Sequence, residues 1–576
     1  MTRDNLARAA TVLCLAAAFA AVFFLRLPVS SETFCDPDLG TPAYTSRLWL
    51  EGECPYAAAV ITKPAGTPLL YALLFSVFGR QMTIVYRLAV LWTCLAVWVL
   101  YALGKRIAGR GAGLTAGGLY AFYQADLMSA GICPNFESWT ILPSLLCLWA
   151  LVAERRGAWR VLAAGACLGV AVWMKQTAAA FLAGALLFLW LESVQSNPYG
   201  KTLKPTGRAF FWLGLGVLLA SLPFLAALAA RSCGRATWDV LNPFQMKNYV
   251  GAADRRFLQA FAHSQLTRFG LSNGFLLLFS LAGLLWILIR EQWQRLFRER
   301  LALVVFLLAS FGSVFLGSRF YGHYFVVALP YLCLLVGAAF GSLRPPGGIK
   351  IKAALLLVLL GGAFIDLRPE LALGLESWSG YRRDGRPLTA AVFAANRRME
   401  AEPGGLNPLL NHLELQPTYH LVGDWARERL RPGETVWSLD YLPEMYFYTQ
   451  SFSPTRHQEN FEWVSAANSP TYGLWHDRET AAVRQNRREL LDQLRARPPR
   501  FIFRYADDWP NYRDRRLPAP ANWPLNIFGD PLAAPPSRVE VFPELENWLN
   551  ENYRSEAVAG QKLLLVYEYS PKTETP

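Results

Sequence analysis

Residues Phe34–Tyr71 have the sequence FCDPDLGTPAYTSRLWLEGECPYAAAVITKPAGTPLLY and lie between two strongly apolar segments. The stretch combines a cluster of prolines and glycines with the charged residues Asp36, Asp38, Glu51, Glu53 and Lys63. A connector between membrane helices does not need to be this long or this polar, whereas loops that carry function often are. We therefore predict that this loop holds the chemistry of a membrane protein.

The composition of the chain agrees with a membrane protein. The 576 residues are 53% hydrophobic and include 20 Trp and 35 Phe. Whole windows of about 17 to 22 residues lack charge almost entirely, which is typical of transmembrane helices that need the lipid bilayer as their partner. The net charge of +13 comes largely from Lys and Arg in short connectors. That distribution is a topology signal, so we expect no nucleic-acid partner.

The hydrophobic pattern predicts an α-helical integral membrane protein with about eleven transmembrane helices. The basic and then apolar N-terminus also fits a cleaved signal peptide, but the apolar run extends to Pro28 and many spans follow, which favours an uncleaved first helix. The predicted spans are 9–28, 83–103, 112–130, 138–153, 160–174, 178–193, 209–229, 270–289, 301–317, 324–342 and 353–366. The apolar segment Thr67–Phe78 is too short to cross comfortably.

Basic residues alternate between the connectors of these spans. The connectors rich in Lys and Arg begin with Arg3 and Arg8, continue with Lys105, Arg106 and Arg110, and end with Arg344, Lys350 and Lys352. The connectors between them, including 29–66, 131–137 and 318–323, are poorer in basic residues for their length. By the positive-inside rule the N-terminus is cytoplasmic and the first loop faces outward, as expected for a multi-pass protein of the cytoplasmic (inner) membrane.

The composition changes abruptly after residue 366, where Arg, Asp, Glu, Pro and Asn become frequent. We predict a transmembrane catalytic domain over 1–366 and an extracytoplasmic α/β domain over 367–576. The predicted elements of the second domain are helices at 419–430 and 544–553 and strands at 435–439, 501–505 and 562–569. The pattern over 451–495 is ambiguous.

The chain has nine cysteines, and four of them fall in predicted outward loops. These four are Cys35, Cys54, Cys133 and Cys233. In an oxidising compartment they permit two disulfides in three pairings, and free thiols at loop edges are the alternative. The chain has no CxxC pair, so we expect no zinc or iron–sulfur site.

Asp36 and Asp38 stand just outside the end of the first predicted helix. A carboxylate at the membrane surface suits a general base that takes a proton from a hydroxyl group. A solvated acidic loop with helix-capping side chains is the alternative interpretation. Lys63 lies where the chain re-enters the membrane, so it could hold a phosphate at headgroup level or contact ordinary lipid phosphates.

The other outward loops carry further polar residues. A tight loop holds Asn135 and Glu137, of which Glu137 could cap the following helix or join a pocket. The remaining candidates are Lys175, Gln176, Arg319, Tyr321 and His323. The tyrosine could instead belong to the interfacial aromatic belt. Because a topology based on basic residues places all these clusters on one side, we expect one outward-facing pocket at the membrane boundary.

The chain resembles the bacterial GT-C glycosyltransferases, relatives of the protein O-mannosyltransferases and of the lipid A aminoarabinose transferase. The resemblance covers about residues 10–345. The residues that carry it are Asp36 and Asp38, Gly52-Glu53-Cys54-Pro55-Tyr56, Lys63-Pro64, Pro68-Leu69-Leu70-Tyr71, Arg87, Asn135 and Glu137, Lys175-Gln176-Thr177, and Arg319-Phe320-Tyr321-Gly322-His323-Tyr324 followed by Leu329-Pro330.

This resemblance implies a GT-C-like helical bundle that moves a sugar (hexosyl or pentosyl) from a polyprenyl-phosphate donor, outside the cytoplasm and with inversion at the anomeric carbon. It implies Asp36 or Asp38 as the base, Lys63 as the phosphate ligand, and neither cofactor nor catalytic metal. Tyr71 and Arg87 join the residues that we expect to bind substrate. The acceptor would be a lipopolysaccharide, another glycan or lipid, or a protein. The sequence departs from the family pattern at Ala65-Gly66-Thr67, which separates Lys63-Pro64 from Pro68.

Two other classes of protein remain open from the sequence. A transporter or flippase of a lipid-linked glycan should place charged or helix-breaking residues near the bilayer midplane, whereas here the ionisable residues collect at one interface. A non-catalytic membrane scaffold would show much the same loops with a decayed site. The predicted interfacial cluster favours the enzyme.

Overall fold

The computed structural model describes residues 3–30, 34–59, 61–153, 157–196, 204–241, 255–289, 297–316, 320–343, 348–384, 408–439, 442–458, 481–505, 542–560 and 564–571. The described chain is predominantly helical up to residue 384. The helices of this part are α1 Arg3–Ser30, α2 Gly40–Leu50, α3 Pro55–Ala58, α4 Gly66–Phe78, α5 Met82–Ala108, α6 Arg110–Tyr123, α7 Phe136–Leu151, α8 Ala158–Met174, α9 Ala179–Ser196, α10 Lys204–Ala230, α11 Gly234–Leu241, α12 Arg255–Ser272, α13 Gly274–Ile289, α14 Phe297–Leu316, α15 Leu329–Ser342, α16 Gly348–Asp366 and α17 Arg368–Asp384.

Each of the eleven predicted spans overlaps one of these helices. By length and composition, six helices of the described residues can cross a membrane, or seven if the bent pair Gln265–Ser272 and Gly274–Ile289 forms one span. Other apolar helices, such as α7 with 16 residues and α8 with 17, are shorter. The positions of the helical segments therefore agree with the sequence pattern, while eleven complete crossings stay a prediction.

Small residues bring the helices of the bundle close together. A Cβ atom added at Gly165 of α8 would collide with the backbone of Leu213, and one added at Gly216 of α10 would collide with the carbonyl of Leu162. Such close approach of backbones is the usual basis of helix packing in lipid, where hydrophobic burial does not drive association. The outward faces stay apolar; Phe211 and Leu218 of α10, for example, are exposed.

Ion pairs and a hydrogen bond connect the basic connectors at one end of the bundle. Arg298 at the start of α14 lies 3.0 Å from Glu192 near the end of α9 and donates to the carbonyl of Leu151 at 2.5 Å. Arg106 lies 4.0 Å from Glu299. All these residues belong to or border connectors that the sequence predicts to be cytoplasmic, so the structure brings that set together at the end opposite the first loop.

The first loop is largely helical. After a 3₁₀ turn at Pro37–Leu39 the chain forms α2, α3 and α4 in succession. Helix α2 is buried from Gly40 to Trp49. A helix in a loop is buried to this extent only where another part of the chain covers its outer face. Here the C-terminal part of the chain covers it.

The C-terminal part is built around a four-stranded sheet. Its elements are α18 Pro408–Arg427, β1 Val436–Ser438, α19 Glu444–Tyr448, α20 Ala481–Ala496, β2 Phe501–Tyr505, α21 Pro543–Asn552, β3 Tyr553–Glu556 and β4 Leu564–Tyr569. The strand order is β1-β2-β4-β3, with β1 parallel to β2 and the other pairs antiparallel. The register pairs Val436 with Phe501 and Ile502 with Tyr567.

The three predicted strands and two predicted helices of this region are present, whereas β3 and α19 have no counterpart in the prediction. Part of the ambiguous segment 451–495 lies outside the described residues, and α20 occupies its end. The division into domains at residue 366 stays a prediction.

Helix α2 docks directly onto α19. A Cβ atom at Gly40 would lie 2.6 Å from the backbone nitrogen of Glu444, so only glycine permits this approach. Arg47 is 1% exposed and donates to the carbonyl of Tyr446 at 2.5 Å and to that of Ser451 at 3.3 Å. Tyr44 packs on Tyr446 with ring centroids 4.7 Å apart. One hydrophobic core therefore runs from the first loop into the C-terminal sheet.

Candidate active site

Two disulfides connect the outward loops that the sequence singles out. Cys35 is bonded to Cys133, and Cys54 is bonded to Cys233, with Cα–Cα distances of 6.0 and 5.5 Å. The other five cysteines are free thiols. The structure thus selects one of the three pairings that the sequence left open, and it joins the first loop to the second loop beside the candidate base.

Asp36 lies at this junction. Its Oδ2 accepts a hydrogen bond from Asn135 Nδ2 at 3.2 Å, and its Oδ1 accepts one from the backbone nitrogen of Asp38 at 2.8 Å. Burial raises the pKa of the Asp36 carboxyl to about 7, and the neighbouring Asp38 acts in the same direction, while the two hydrogen bonds oppose the shift. A carboxyl group with this pKa can exchange protons near neutral pH.

Asp38 and Lys63 form an ion pair. Lys63 Nζ lies 3.2 Å from Asp38 Oδ2 and 4.4 Å from the centre of the Phe136 ring. The two charged side chains are 22% and 20% exposed, so a ligand can reach them. His323 Nε2 lies 3.7 Å from the same oxygen of Asp38.

Glu137 and Lys175 form a second, deeper ion pair. Their side chains are in direct contact and only 3% and 4% exposed. Glu137 lies in the first turn of α7, where the helix N-terminus favours a negative charge. Lys175 Nζ is 3.6 Å from the centre of the Tyr324 ring, and His323 Nε2 is 3.6 Å from Glu137 Oε1. The Nε2 atom of His323 therefore lies near both carboxylates, one from each ion pair, at slightly more than hydrogen-bond distance.

The backbone around Lys63 is held by side chains from two other segments. The Tyr56 hydroxyl donates to the carbonyl of Lys63 at 2.8 Å, and Gln176 Nε2 donates to the carbonyl of Thr62 at 2.9 Å. The departure from the family pattern at Ala65-Gly66-Thr67 forms the beginning of α4. There Thr67 Oγ1 donates to the carbonyl of Met174 at 3.3 Å, which docks the insertion next to Lys175.

Among the residues that the structure describes, two polar atoms of the candidate residues are buried without a hydrogen-bond partner. They are Asn135 Oδ1 and Gln176 Oε1. Burial of an unsatisfied polar atom costs about 1–3 kcal/mol. Each such atom therefore marks a position at which a polar ligand group would be bound favourably.

Two of the predicted site residues are not seen in this cluster: Arg87 lies elsewhere, and Arg319 is not among the described residues. Arg87 is exposed on α5, and its neighbour Tyr86 is buried instead, where its hydroxyl accepts a hydrogen bond from Cys35 N at 3.1 Å. Tyr321 stacks on His323 with ring centroids 5.4 Å apart and so lines the edge of the cluster. Substrate binding by Arg87 and by Arg319 stays a prediction.

Four aromatic residues, Tyr56, Tyr86, Phe136 and Tyr324, contact a candidate side chain or its neighbouring backbone. In the sequence, Tyr56 and Tyr324 belong only to the motifs of the family resemblance, and no pattern singles out Tyr86 or Phe136. Each lies within two residues of a predicted site residue or of a loop cysteine. Sequence position alone could have placed them on the candidate set, but it could not show which way their rings point.

No group of three or more His, Cys, Asp and Glu side chains able to hold a metal ion is present among the residues that the structure describes. The carboxylates of the site are instead partnered by lysines, histidine and an amide. The expectation of a metal-independent reaction remains a prediction.

Comparison with known proteins finds similarity to membrane glycosyltransferases. Residues 62–226 match the family model described as dolichyl-phosphate-mannose-protein mannosyltransferase. The crystal structure of ArnT from Cupriavidus metallidurans bound to undecaprenyl phosphate has a TM-score of 0.56 at 13% sequence identity, covering 97% of this chain and 99% of that chain. Its apo state gives a TM-score of 0.57 at 13% identity, covering 98% and 100%. No curated protein matches the sequence.

A third solved structure is more distant. The oligosaccharyltransferase AglB from Archaeoglobus fulgidus, in complex with an inhibitory peptide and a dolichol-phosphate, has a TM-score of 0.45 at 12% identity, over 86% of this chain and 69% of that chain. No conclusion about this chain is drawn from a TM-score this low. The match to ArnT over nearly the whole of both chains shows a common fold, and the resemblance to the GT-C glycosyltransferases is confirmed. The chain is a multi-pass membrane protein.

Proposed function

We propose that this protein is a glycosyltransferase that moves a sugar from a polyprenyl-phosphate donor to an acceptor on the outer side of the cytoplasmic membrane. One observation carries the proposal: carboxylates, lysines and a histidine from four separate connectors meet at one end of the bundle, next to buried polar atoms that lack partners. Charged groups from separate parts of the chain that converge in one partly buried place are typical of substrate sites.

Asp36 is the better candidate for the base of the two aspartates. Asp38 is already engaged by the Lys63 ammonium group, 3.2 Å from its Oδ2. Asp36 is held by an amide and a backbone N–H, and its pKa of about 7 is near the value that suits a general base at neutral pH. In this proposal Asp36 takes the proton of the acceptor hydroxyl.

The proposed reaction is a single displacement. The acceptor oxygen forms a bond to the anomeric carbon as its proton passes to Asp36, and the bond from that carbon to the phosphate oxygen breaks with its electron pair. Attack from the face opposite the phosphate inverts the anomeric configuration. The polyprenyl phosphate that leaves carries more negative charge than the bound donor, and the Lys63 ammonium, about one-fifth exposed, is able to stabilise it.

The proposal keeps the orientation inferred from basic residues, with the N-terminus cytoplasmic and the site extracytoplasmic. The acceptor is a glycan, lipid or protein, and its hydroxyl must approach Asp36 from the outer side. Asn135 Oδ1 and Gln176 Oε1, two hydrogen-bond acceptors, suit hydroxyl groups of the sugar.

The test uses purified protein in detergent with a panel of radiolabelled polyprenyl-phosphate sugars. Sugar release or transfer is followed for the wild type, Asp36→Asn, Asp38→Asn and Lys63→Ala. Asp239→Asn is the matched control, because Asp239 is a 63% exposed aspartate on α11 that contacts only Arg235 among the described ion pairs. We expect turnover with one donor and a loss of at least about 10² for Asp36→Asn, the size expected for a lost general base.

A different outcome would support the transporter. If no donor turns over, and labelled lipid-linked glycan crosses proteoliposome membranes at a rate that Asp36→Asn and Asp38→Asn leave unchanged, the enzyme proposal is wrong. Equal losses in Asp36→Asn and Asp239→Asn would also count against a base at Asp36.

A further inference from the structure

The Cys35–Cys133 disulfide lies directly behind the hydrogen bond between Asp36 and Asn135. Cys35 precedes Asp36 in the chain, and Cys133 is two residues before Asn135. The bridge and the hydrogen bond therefore close one small ring between the first and second loops. Both cysteines are fully buried, so the bridge is part of the interior wall of the site.

The second loop is itself anchored to the helical bundle. The guanidinium of Arg26 on α1 donates to Gln124 Oε1 at 2.8 Å, to the carbonyl of Gly131 at 2.8 Å and to that of Ile132 at 3.1 Å. The Cys133 backbone follows immediately. The disulfide to this anchored loop therefore fixes the position of Cys35. It thereby also restrains the next residue, Asp36.

The first loop has little regular structure of its own at this point. The 3₁₀ turn begins only at Pro37, and the backbone contact of Cys35 is its N–H donating to Tyr86 Oη at 3.1 Å. Side-chain placement on such a segment depends on tertiary constraints. Displacing a reacting group by about 1 Å can cost roughly 10²-fold in rate.

We propose that the Cys35–Cys133 disulfide is a positioning element that holds the half-buried Asp36 carboxylate against Asn135 and limits its contact with water. The proposal rests on the glycosyl-transfer function proposed above. The Cys54–Cys233 disulfide lacks this role, because it joins the beginning of α3 to the beginning of α11 and neither cysteine adjoins Asp36 or Asn135. The chain therefore contains its own control for the effect of losing a disulfide.

The experiment compares full-length Cys35→Ser/Cys133→Ser with Cys54→Ser/Cys233→Ser and the wild type in detergent. Non-reducing peptide mapping of the wild type establishes the pairing. The pH profiles of kcat and kcat/KM for donor turnover are then measured for each protein. Thermal unfolding is recorded in parallel to separate stability from catalysis.

For Cys35→Ser/Cys133→Ser we expect kcat to fall by about 10- to 100-fold with a small change in donor KM. We also expect the acidic limb of its kcat/KM profile to move to lower pH by about one unit, since water reaching Asp36 brings its pKa back toward the ordinary value. The Cys54→Ser/Cys233→Ser protein should keep the acidic limb of its kcat/KM profile at the wild-type pH, even if its melting temperature changes. A structural disulfide would change the melting temperature without moving the limb.

Several results would overturn the proposal. They are free Cys35 and Cys133 thiols in the active wild type, an unmoved acidic limb with unchanged kcat, and the same shift in both double variants. If Cys35→Ser/Cys133→Ser does not yield folded protein, Cys35→Ala/Cys133→Val replaces it, because this variant keeps the buried site apolar. If that variant also fails to fold while Cys54→Ser/Cys233→Ser folds, the Cys35–Cys133 bridge has a purely structural role. A wild type inactive with every donor contradicts the proposed function instead.

Discussion

Lys63 and Asp38, 25 residues apart in sequence, form an ion pair with an Nζ–Oδ2 distance of 3.2 Å. The cation proposed to bind the donor phosphate is therefore held in place by a carboxylate before any ligand arrives. An incoming phosphate competes with or joins Asp38 at the same ammonium group. This relationship separates the roles of the two aspartates, since Asp36 forms no ion pair within the part of the chain that the structure describes and has the raised pKa.

Lys63→Met should weaken donor binding. A hydrogen bond to a charged group contributes about 1.5–3 kcal/mol, so we expect the donor KM to rise by roughly 10- to 100-fold. Lys63→Arg should recover part of this loss, because it keeps the charge with a different shape. The control is Lys350→Met, at an exposed lysine in the first turn of α16. Equal KM values for Lys63→Met and Lys350→Met would remove Lys63 from the phosphate site.

The activity should depend on the protonation of Asp36. A base must be deprotonated, so kcat/KM should rise with pH up to about 7 and level off above it, following the pKa of this carboxyl. Rates measured from pH 5 to 9 with saturating acceptor test this dependence. Asp38→Asn should move the acidic limb to lower pH, because removing the neighbouring negative charge lowers the pKa of Asp36. A limb that stays in place in Asp38→Asn would argue against Asp36 as the titrating group.

Asp36→Asn should abolish activity and stabilise the protein. The folded-state pKa of Asp36, about 7, lies above the unfolded value of 3.8, so the folded state holds its proton more tightly than the unfolded chain does. This group therefore contributes full stability below pH 4 and loses it progressively as the pH rises to 7. At pH 8 the asparagine variant lacks the buried charge, and its melting temperature should exceed that of the wild type. At pH 4 the difference should largely disappear.

The buried pair of Glu137 and Lys175 lends itself to a double-mutant cycle. Removing one partner leaves an uncompensated buried charge, so Glu137→Gln and Lys175→Met should each lose about 3–5 kcal/mol of stability. The double variant should regain much of that loss, because neither charge remains. Thermal or denaturant unfolding in one detergent measures all four proteins. Strictly additive losses would show that the two side chains do not interact.

Arg47 should hold the C-terminal part on the first loop. Arg47→Met removes its hydrogen bonds to Tyr446 and Ser451 and its placement 4.6 Å over the Phe452 ring. Two carbonyls then remain buried without this donor, so we expect a loss of about 2–4 kcal/mol and faster proteolysis after residue 400. Arg429→Met is the control, since Arg429 is 47% exposed and lies over Trp425 at 4.4 Å. Similar proteolysis of both variants would contradict the clamp.

Local patterns were enough to predict the helical segments, three of the four strands and most of the candidate residues. Apolar windows predict helices because a backbone in lipid must satisfy its hydrogen bonds within the segment. The alternation of basic connectors predicts that Asp36, Lys63, Asn135, Glu137 and His323 share one side, and these residues lie together in the structure. Polar residues at an interface are visible in the sequence because lipid excludes them elsewhere.

Distances between loops depend on the folded chain and could not be derived from any local pattern. The pairing of Cys35 with Cys133, the separate engagement of Asp36 and Asp38, and the burial of Arg47 under Tyr446, 399 residues away, all join segments that are remote in sequence. Burial and the neighbouring Asp38 raise the pKa of Asp36, whereas Asp38 pairs with Lys63, so two aspartates in one loop have different surroundings. The amino-acid sequence supplied the groups, and their assembly into one partly dehydrated site gave each its chemistry.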